Sequence, residues 1–215
     1  MSIKILGGIA KGFALKTPNE ISFRPTSVML KRKVFDCYQK LGGFIFIDLC
    51  SGSGAVGIEA WSRGAEKVFL IEENISNLII INDNLNKLKK IYTDEIECRN
   101  IFVIKDKVER WLKNNLFNNK FLVNFKIDFK INNKIIFYFD PPYQQIPLYL
   151  KVIEIIKDFY SNSNSNSNSN SKSDIEFWIE SDKKNGIVPE KLQELNLNIK
   201  KLFFQGSKFI AINTL

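Results

Sequence analysis

The 215-residue chain is 45% hydrophobic and 25% charged, a globular balance that suits one domain with a sizeable core and, with no bilayer-length apolar run and no secretory leader, no membrane. It has no histidine and only three scattered cysteines (Cys37, Cys50 and Cys98) without a CxxC pair, which argues against a metal site or a histidine base and fits a reducing compartment, cytoplasmic or an organelle matrix. The net charge of +8 is uneven: residues 1–40 hold eight basic side chains (Lys4, Lys11, Lys16, Arg24, Lys31, Arg32, Lys33 and Lys40) against Glu20 and Asp36, so six of the eight net charges sit there.

Such an asymmetry suggests an amino-terminal surface that meets a polyanion, most simply nucleic acid. The bland alternative is a lysine-rich composition with solvated side chains.

Along the chain, residues 2–24 carry Gly7-Gly8, Gly12 and short mixed runs, which read as strands and turns. After Arg24-Pro25, Thr26 or Ser27 can cap a helix with Leu30, Val34, Cys37, Tyr38 and Leu41 on one face, ended by Gly42-Gly43. Phe44–Leu49 is an apolar strand, and Cys50-Ser51-Gly52-Ser53-Gly54 is the turn that leaves it. A helix from Ala55 to about Gly64, a strand over Lys67–Glu72 and a helix opened by Ser76 follow; Leu78, Ile81, Leu85 and Leu88 make the apolar stripe of the last. Ile101–Ile104 is a third strand ended by Asp106, with a short helix around Val108, Trp111 and Leu112.

Residues 113–133 lack clean periodicity and read as an extended connection. Ile135–Phe139 is a buried strand that closes on Asp140-Pro141-Pro142-Tyr143, and a helix from Pro147 buries Leu148, Val152, Ile155, Ile156 and Phe159. Ser161–Ser171 is a strict Ser-Asn alternation, expected to be disordered, before a strand over Ile175–Ile179. Ile199–Phe204, the turn at Gln205-Gly206-Ser207, and Lys208–Leu215 read as a terminal hairpin. Four alternations of strand and helix argue for a mostly parallel sheet.

The chemistry concentrates at strand ends, where ligands gather in open parallel sheets. Gly52-Ser-Gly54-Ala-Val-Gly57 has a strand before it and a helix after it, so backbone can approach a ligand and the helix end offers N–H donors. Glu72, at the end of the next strand, is placed for ribose hydroxyls. Asp48 stands at the mouth of the loop, where a carboxylate repels a pyrophosphate but suits a ligand's ammonium. A cofactor with an amino-acid end and an adenosine end fits best: S-adenosylmethionine. Asp106 is then a candidate for the adenine amine, with an ordinary loop aspartate nearly as good a reading.

DLCSGSGAVGIEA, LIEEN and FYFDPPY, in this order, resemble the class I methyltransferases that alkylate exocyclic amines. ILGGIAKGFALKTP and FRPTS near the start, and FFQGSKF in the closing hairpin, resemble more specifically the RsmD-type guanine-N2 methyltransferases of small-subunit ribosomal RNA. The resemblance covers nearly the whole chain apart from residues 113–133 and the Ser-Asn tract.

It implies a Rossmann-like α/β fold, mostly parallel with a C-terminal antiparallel hairpin, in which residues 1–43 form a basic, RNA-binding strand/helix extension. Residues 44–215 would be the methyltransferase domain, with the insert over 161–173. It further implies Asp140, Pro141 and Tyr143 as catalytic. Asp48, Ser51, Gly52, Gly54, Glu72, Asp106 and Thr26 would hold S-adenosylmethionine, and Arg24, Lys11, Pro142 and Tyr143 the substrate. The partner would be ribosomal RNA or the small-subunit assembly, and the enzyme a monomer. Competing readings are an adenine-N6 or protein-glutamine amine methyltransferase, and a non-catalytic RNA-binding module. An NAD-linked enzyme is disfavoured by Asp48.

Overall fold

The computed structural model describes residues 2–18, 28–92, 100–116, 134–165 and 174–214. They fall into two compact units, 1–105 and 106–215. The fold class is the expected one, mixed α/β with mostly parallel strands and an antiparallel hairpin at the carboxyl end.

The first unit opens with a short antiparallel pair, β1 (Ser2–Lys4) and β2 (Ala14–Lys16), in which Ile3 faces Leu15. Helix α1 (Val28–Cys37) follows, then β3 (Phe44–Asp48), α2 (Ala55–Ser62), β4 (Lys67–Glu72), α3 (Ile75–Ile91) and β5 (Ile101–Lys105). β4 lies between β3 and β5, parallel to both. The apolar runs that predicted these strands are their buried interior: Ile45–Ile47 and Val68–Ile71 are closed to solvent.

Two details differ from expectation. Helix α1 stops at Cys37, short of Gly42-Gly43, and its buried face is Leu30, Lys31, Val34 and Phe35, rotated from the expected stripe so that Cys37 falls to its exposed side; Leu41 is buried beyond the helix end. Helix α3 is capped by Asn74, not opened by Ser76: the Asn74 side chain accepts from the N–H groups of Ser76 (2.8 Å) and Asn77 (3.3 Å), which satisfies two of the orphan donors of the first turn.

The second unit contains α4 (Val108–Leu116), β6 (Lys134–Phe139), α5 (Ile146–Ser165), β7 (Asp174–Asp182), α6 (Pro189–Glu194), β8 (Asn198–Gln205) and β9 (Lys208–Thr214). β6 and β7 are parallel, β9 runs antiparallel to β7, and β8 pairs with β9 across the tip at Gly206-Ser207. The hairpin is thus as expected.

Helix α4 carries residues 113–116 of the stretch read as extended; Leu116 continues the buried stripe of Val108, Trp111 and Leu112 at helical spacing. The rest of that stretch, 117–133, lies outside the described residues. Helix α5 continues through Ser165, so residues 161–165 of the Ser-Asn tract are helical: once a helix is nucleated, each further residue adds a bond at little cost. The remainder of the tract, from 166, lies outside the described residues. Strand β7 runs three residues past Ile179, because β9 supplies ladder partners for Glu180, Ser181 and Asp182.

Candidate active site

In the first unit, β3 delivers Asp48 to the edge of the glycine loop. The carboxylate is buried, and its Oδ2 accepts from the Gly57 N–H at 3.1 Å, so it anchors the first turn of α2. Ser51 donates its hydroxyl to the carbonyls of Asp48 (2.9 Å) and Ile71 (3.2 Å), and its N–H also goes to Ile71 O at 3.0 Å. Gly54, at φ 77, turns the chain into α2. Gly57 serves a different purpose: a Cβ there would lie 2.3 Å from Leu70 Cδ2 and 3.1 Å from Val68 Cγ1, so a larger residue would have to displace these core side chains for α2 to rest against β4.

Glu72 closes the same loop from β4. Its Oε2 accepts from Gly52 N–H and its Oε1 from Asn74 N–H, both at 2.8 Å. Each carboxylate oxygen has a second lone-pair direction left for a hydroxyl. Asp48, Ser51, Gly52, Gly54 and Glu72 are therefore one hydrogen-bonded assembly.

Asn84, within α3, completes it. Fully buried, it donates to Ser53 O (3.2 Å) and Lys16 O (3.0 Å) and accepts from Lys16 N–H (2.8 Å). A polar residue on the apolar stripe of α3 was the signal for this role.

The amino-terminal segment is fastened to α2. Glu59, closed to solvent, accepts from the N–H groups of Leu6 (2.8 Å) and Gly7 (2.9 Å), pairs with Arg63 Nε at 2.8 Å and lies 3.4 Å from Lys31 Nζ. Ser62 receives the Ala10 N–H on its hydroxyl, and its carbonyl accepts from Ile9. One of the eight basic side chains of residues 1–40, Lys31, is thus buried within the fold. Burial pushes the Lys31 ammonium below the ordinary lysine value, with the Glu59 carboxylate pulling it back up. Lys16 pairs with Asp83 at 3.3 Å. Lys11 is exposed at its turn, and Arg24 and Thr26 lie outside the described residues.

In the second unit β6 ends at Phe139, and Asp140 stands half-buried at its carboxyl end. Pro141 is buried, Pro142 exposed, and Tyr143 buried. The Tyr143 hydroxyl donates to Glu180 Oε1 at 3.2 Å; the Tyr138 hydroxyl donates to Oε2 at 2.5 Å, and that of Tyr149 to the Glu180 carbonyl at 2.8 Å. Burial, and after it the charges of Asp140 and Glu180, pushes the Tyr143 hydroxyl far above the ordinary tyrosine value, so it stays a neutral donor. Lys208 Nζ lies over the Tyr143 ring, 5.7 Å from its centroid. Asp106, just before α4, accepts from Lys107 N–H at 2.7 Å and pairs with Arg110 Nε.

A carboxylate and two prolines at a strand end in one unit, and a carboxylate-braced glycine loop in the other, are the features on which the resemblance rested. The family described as Conserved hypothetical protein 95 matches residues 3–164. The chain belongs to that family. The expected membership of the RsmD-type methyltransferases is borne out.

Among relatives, the ribosomal RNA small subunit methyltransferase D of Buchnera aphidicola (subsp. Acyrthosiphon pisum) is 27% identical over 192 residues, 88% of this chain and 83% of that protein. A candidate rRNA methyltransferase of Bacillus subtilis, YlbH, is 30% identical over 101 residues; that match spans 44% of this chain and about half, 55%, of the relative. The solved structure of a candidate methyltransferase of Escherichia coli, yhhF, superposes with a TM-score of 0.66 at 19% identity, covering 100% of this chain and 98% of that one. A candidate RNA methyltransferase of Pyrococcus horikoshii gives 0.54 at 13% identity, over 93% of each chain. Both share the fold.

Four residues that brace the family's motifs escaped the sequence reading: Glu59, Asn84, Glu180 and Lys208. Glu59 and Glu180 left a trace, each a carboxylate within an otherwise apolar element, since a buried charge is retained only where it is paired or hydrogen-bonded. Lys208 left none, for a lysine at a hairpin tip is ordinary.

Proposed function

We propose that this chain transfers the methyl group of S-adenosylmethionine to the exocyclic N2 amine of a guanine in small-subunit ribosomal RNA. The observation that carries it is the Asp140–Tyr143 turn at the end of β6, in a chain of this family whose β3–α2 loop is built by Asp48 and Glu72 around close-packed glycines. That loop fits a nucleoside-bearing cofactor: its carboxylates already order the backbone, and Glu72 has acceptor capacity left for ribose hydroxyls. In this reading Gly52, Gly54 and Ser51 shape the pocket floor, Asp48 faces the ammonium end, and Asp106 and Thr26 complete the cofactor contacts. When bound, the cofactor supplies an electrophilic methyl group on a sulfonium.

Everything else falls to the chain. A guanine amine is a poor nucleophile because its lone pair is delocalised into the ring. Asp140 and the Pro141 carbonyl accept its two N–H bonds and turn that lone pair toward the methyl group, the prolines holding the backbone rigid. As the nitrogen becomes cationic its proton acidifies, and the Asp140 carboxylate takes it or relays it to water.

Pro142 and Tyr143 form the wall against which the base packs. Lys208 Nζ lies over the Tyr143 ring, so stacking there requires that side chain to move aside, and such stacking stabilises by ~1–3 kcal/mol per base. A base inside a stacked helix cannot enter, so the target is looped, single-stranded or flipped out. The exposed cations among the described residues of 1–43, Lys11 among them, serve the RNA backbone together with Arg24. The enzyme acts as a monomer in the cytoplasm or an organelle matrix; no described helix is long and apolar enough to cross a membrane.

The test is incubation with labelled S-adenosylmethionine and ribosomal RNA, assembled small subunits or DNA, followed by digestion to nucleosides. Label in N2-methylguanosine is expected. Label in N6-methyladenine would overturn the substrate assignment, and absence of any transfer would leave an RNA-binding module.

A further inference from the structure

A second concentration of positive charge lies within the carboxyl-terminal unit, beside the Asp140–Tyr143 turn. β6 and β7 run parallel with Phe139 opposite Ile179, and β7 continues through Asp182 past the level at which β6 gives way to Asp140. Asp182 is paired in register with Lys208, the first residue of β9, so the end of β7 and the hairpin tip share one corner.

Hydrogen bonds hold that corner. Asp182 Oδ2 accepts from the Ser207 hydroxyl at 2.8 Å; its Oδ1 accepts from the N–H groups of Lys184 (2.8 Å) and Asn185 (3.3 Å). Lys183 N–H donates to Ser207 O at 2.9 Å. The acidic groups of this stretch of β7 are thereby turned inward: Glu180 and Asp182 are buried and engaged.

Its cations face out. Lys183 and Lys184 are exposed and Lys208 half-buried, and among the described residues none of the three forms an ion pair. Two of the ammonium groups lie over aromatic rings, Lys183 Nζ 4.2 Å from the centroid of Phe204 and Lys208 Nζ 5.7 Å from that of Tyr143. Three point charges against one buried carboxylate, Asp182, on which Lys208 acts, leave a net positive corner; interleaved with flat rings on an ordered frame, it matches a nucleic-acid strand, with phosphates for the lysines and bases for the rings.

We infer that Lys183, Lys184 and Lys208, with the ring of Phe204, form a second RNA-binding surface that grips backbone phosphates flanking the base taken by the Asp140–Tyr143 turn. This rests on the proposed RNA substrate. Lys208 then has two partners in succession: the Tyr143 ring in the free enzyme, and a phosphate once a base stacks on that ring. The corner is distinct in sequence from the basic residues 1–40, and its lysines serve register near the target while the amino-terminal ones serve capture.

The experiment compares wild type with Lys183→Ala/Lys184→Ala, which keeps every backbone hydrogen bond named above. Affinity for a fluorescently labelled hairpin RNA with a looped guanine is measured by anisotropy across a salt series, and affinity for S-adenosylmethionine by calorimetry. Roughly tenfold weaker RNA binding at low salt is expected, with the log–log salt slope smaller by about 1.4 for two lost single-strand phosphate contacts, and cofactor affinity unchanged. Lys183→Arg/Lys184→Arg is expected to restore both affinity and slope, which a packing role would not require.

Unchanged RNA affinity and slope in the double alanine variant overturn the inference. So does weakened binding to assembled subunits alone, which would assign the corner to a protein partner. The binding readout needs no turnover: if the wild type binds RNA through these lysines yet forms no N2-methylguanosine, the surface stands and the substrate assignment fails.

Discussion

The two loops that carry the motifs are held in opposite ways. In the amino-terminal unit one Asp48 oxygen and both Glu72 oxygens accept from backbone N–H groups of the loop and its flanks, Gly57, Gly52 and Asn74, across separations of 9, 20 and 2 residues, so the loop's shape is held by bonds to its own main chain. In the carboxyl-terminal unit Glu180 holds side-chain hydroxyls, those of Tyr138 and Tyr143, from 42 and 37 residues away. The first arrangement tolerates little change in the backbone. The second positions one aromatic ring through a buried charge, and so it can be loosened without disturbing the strand that precedes it. With the first proposed as the cofactor loop and the second as the reacting turn, the two should fail differently when broken.

The largest effect is expected from Asp140→Ala: kcat falls by about 10²–10³-fold through loss of an aligned acceptor, while calorimetry finds cofactor affinity intact. Glu72→Ala should show the converse, roughly tenfold weaker cofactor binding with far less effect once cofactor saturates. If Asp140→Ala weakens cofactor binding as much as Glu72→Ala does, the division of labour between the two loops is wrong.

Next comes Glu180→Ala, which leaves two buried hydroxyls without their acceptor and is expected to cost roughly 2–4 kcal/mol in urea unfolding; Glu180→Gln, which keeps one carbonyl acceptor, should recover about half. Equal losses in the two variants would show that the charge and not the acceptor matters.

Gly57→Ala forces a methyl group onto Leu70 and Val68 and should destabilise by about 1–3 kcal/mol, measured the same way. Because the glycine loop has no slack, that variant should also lose cofactor affinity, whereas Glu180→Ala should not.

The smallest effect concerns Asp182. Burial raises its pKa, but the Ser207 hydroxyl, the N–H groups of Lys184 and Asn185, and the charge of Lys208 outweigh that and hold it below its ordinary value of 3.8. A depressed carboxylate stabilises fully above its unfolded pKa, and that contribution is lost as pH falls through the folded value. Asp182→Asn should therefore cost about 1 kcal/mol at neutral pH, a deficit that shrinks below pH 3.8. A constant difference between wild type and variant down to pH ~2 would remove Asp182's charge from the account of the hairpin corner.

Strands and helices were legible wherever burial and period agreed. Lys67–Glu72 was delimited to the residue, because an apolar run between polar ends has no competing assignment. The end of α1 was misjudged, since an apolar stripe says which residues can be buried and not where the chain turns away. Asn74, not Ser76, capped α3: both are good caps, and the choice depends on which backbone is extended at that point. The helical start of the Ser-Asn tract could not be read from a composition with no apolar face, since its helicity is inherited from the apolar turns of α5 before it.

By itself the sequence picked out the residues proposed to do the chemistry, because a strand-end carboxylate, a glycine turn into a helix and a Pro-Pro brace are local devices whose physics is confined to a few neighbouring positions. Tertiary structure alone decided what steadies them. Glu59, Asn84, Glu180 and Lys208 act on partners 28 to 68 residues away in several of their contacts, or across a strand register that no local pattern encodes. It also decided which charges remain for a partner. Lys31 and Lys16 looked like part of a basic surface, but the first is buried against Glu59 and the second pairs with Asp83. The exposed Lys183 and Lys184 gained their place only when β7 and the hairpin tip met, since the field of a charge depends on its neighbours in space and not on its neighbours in the chain.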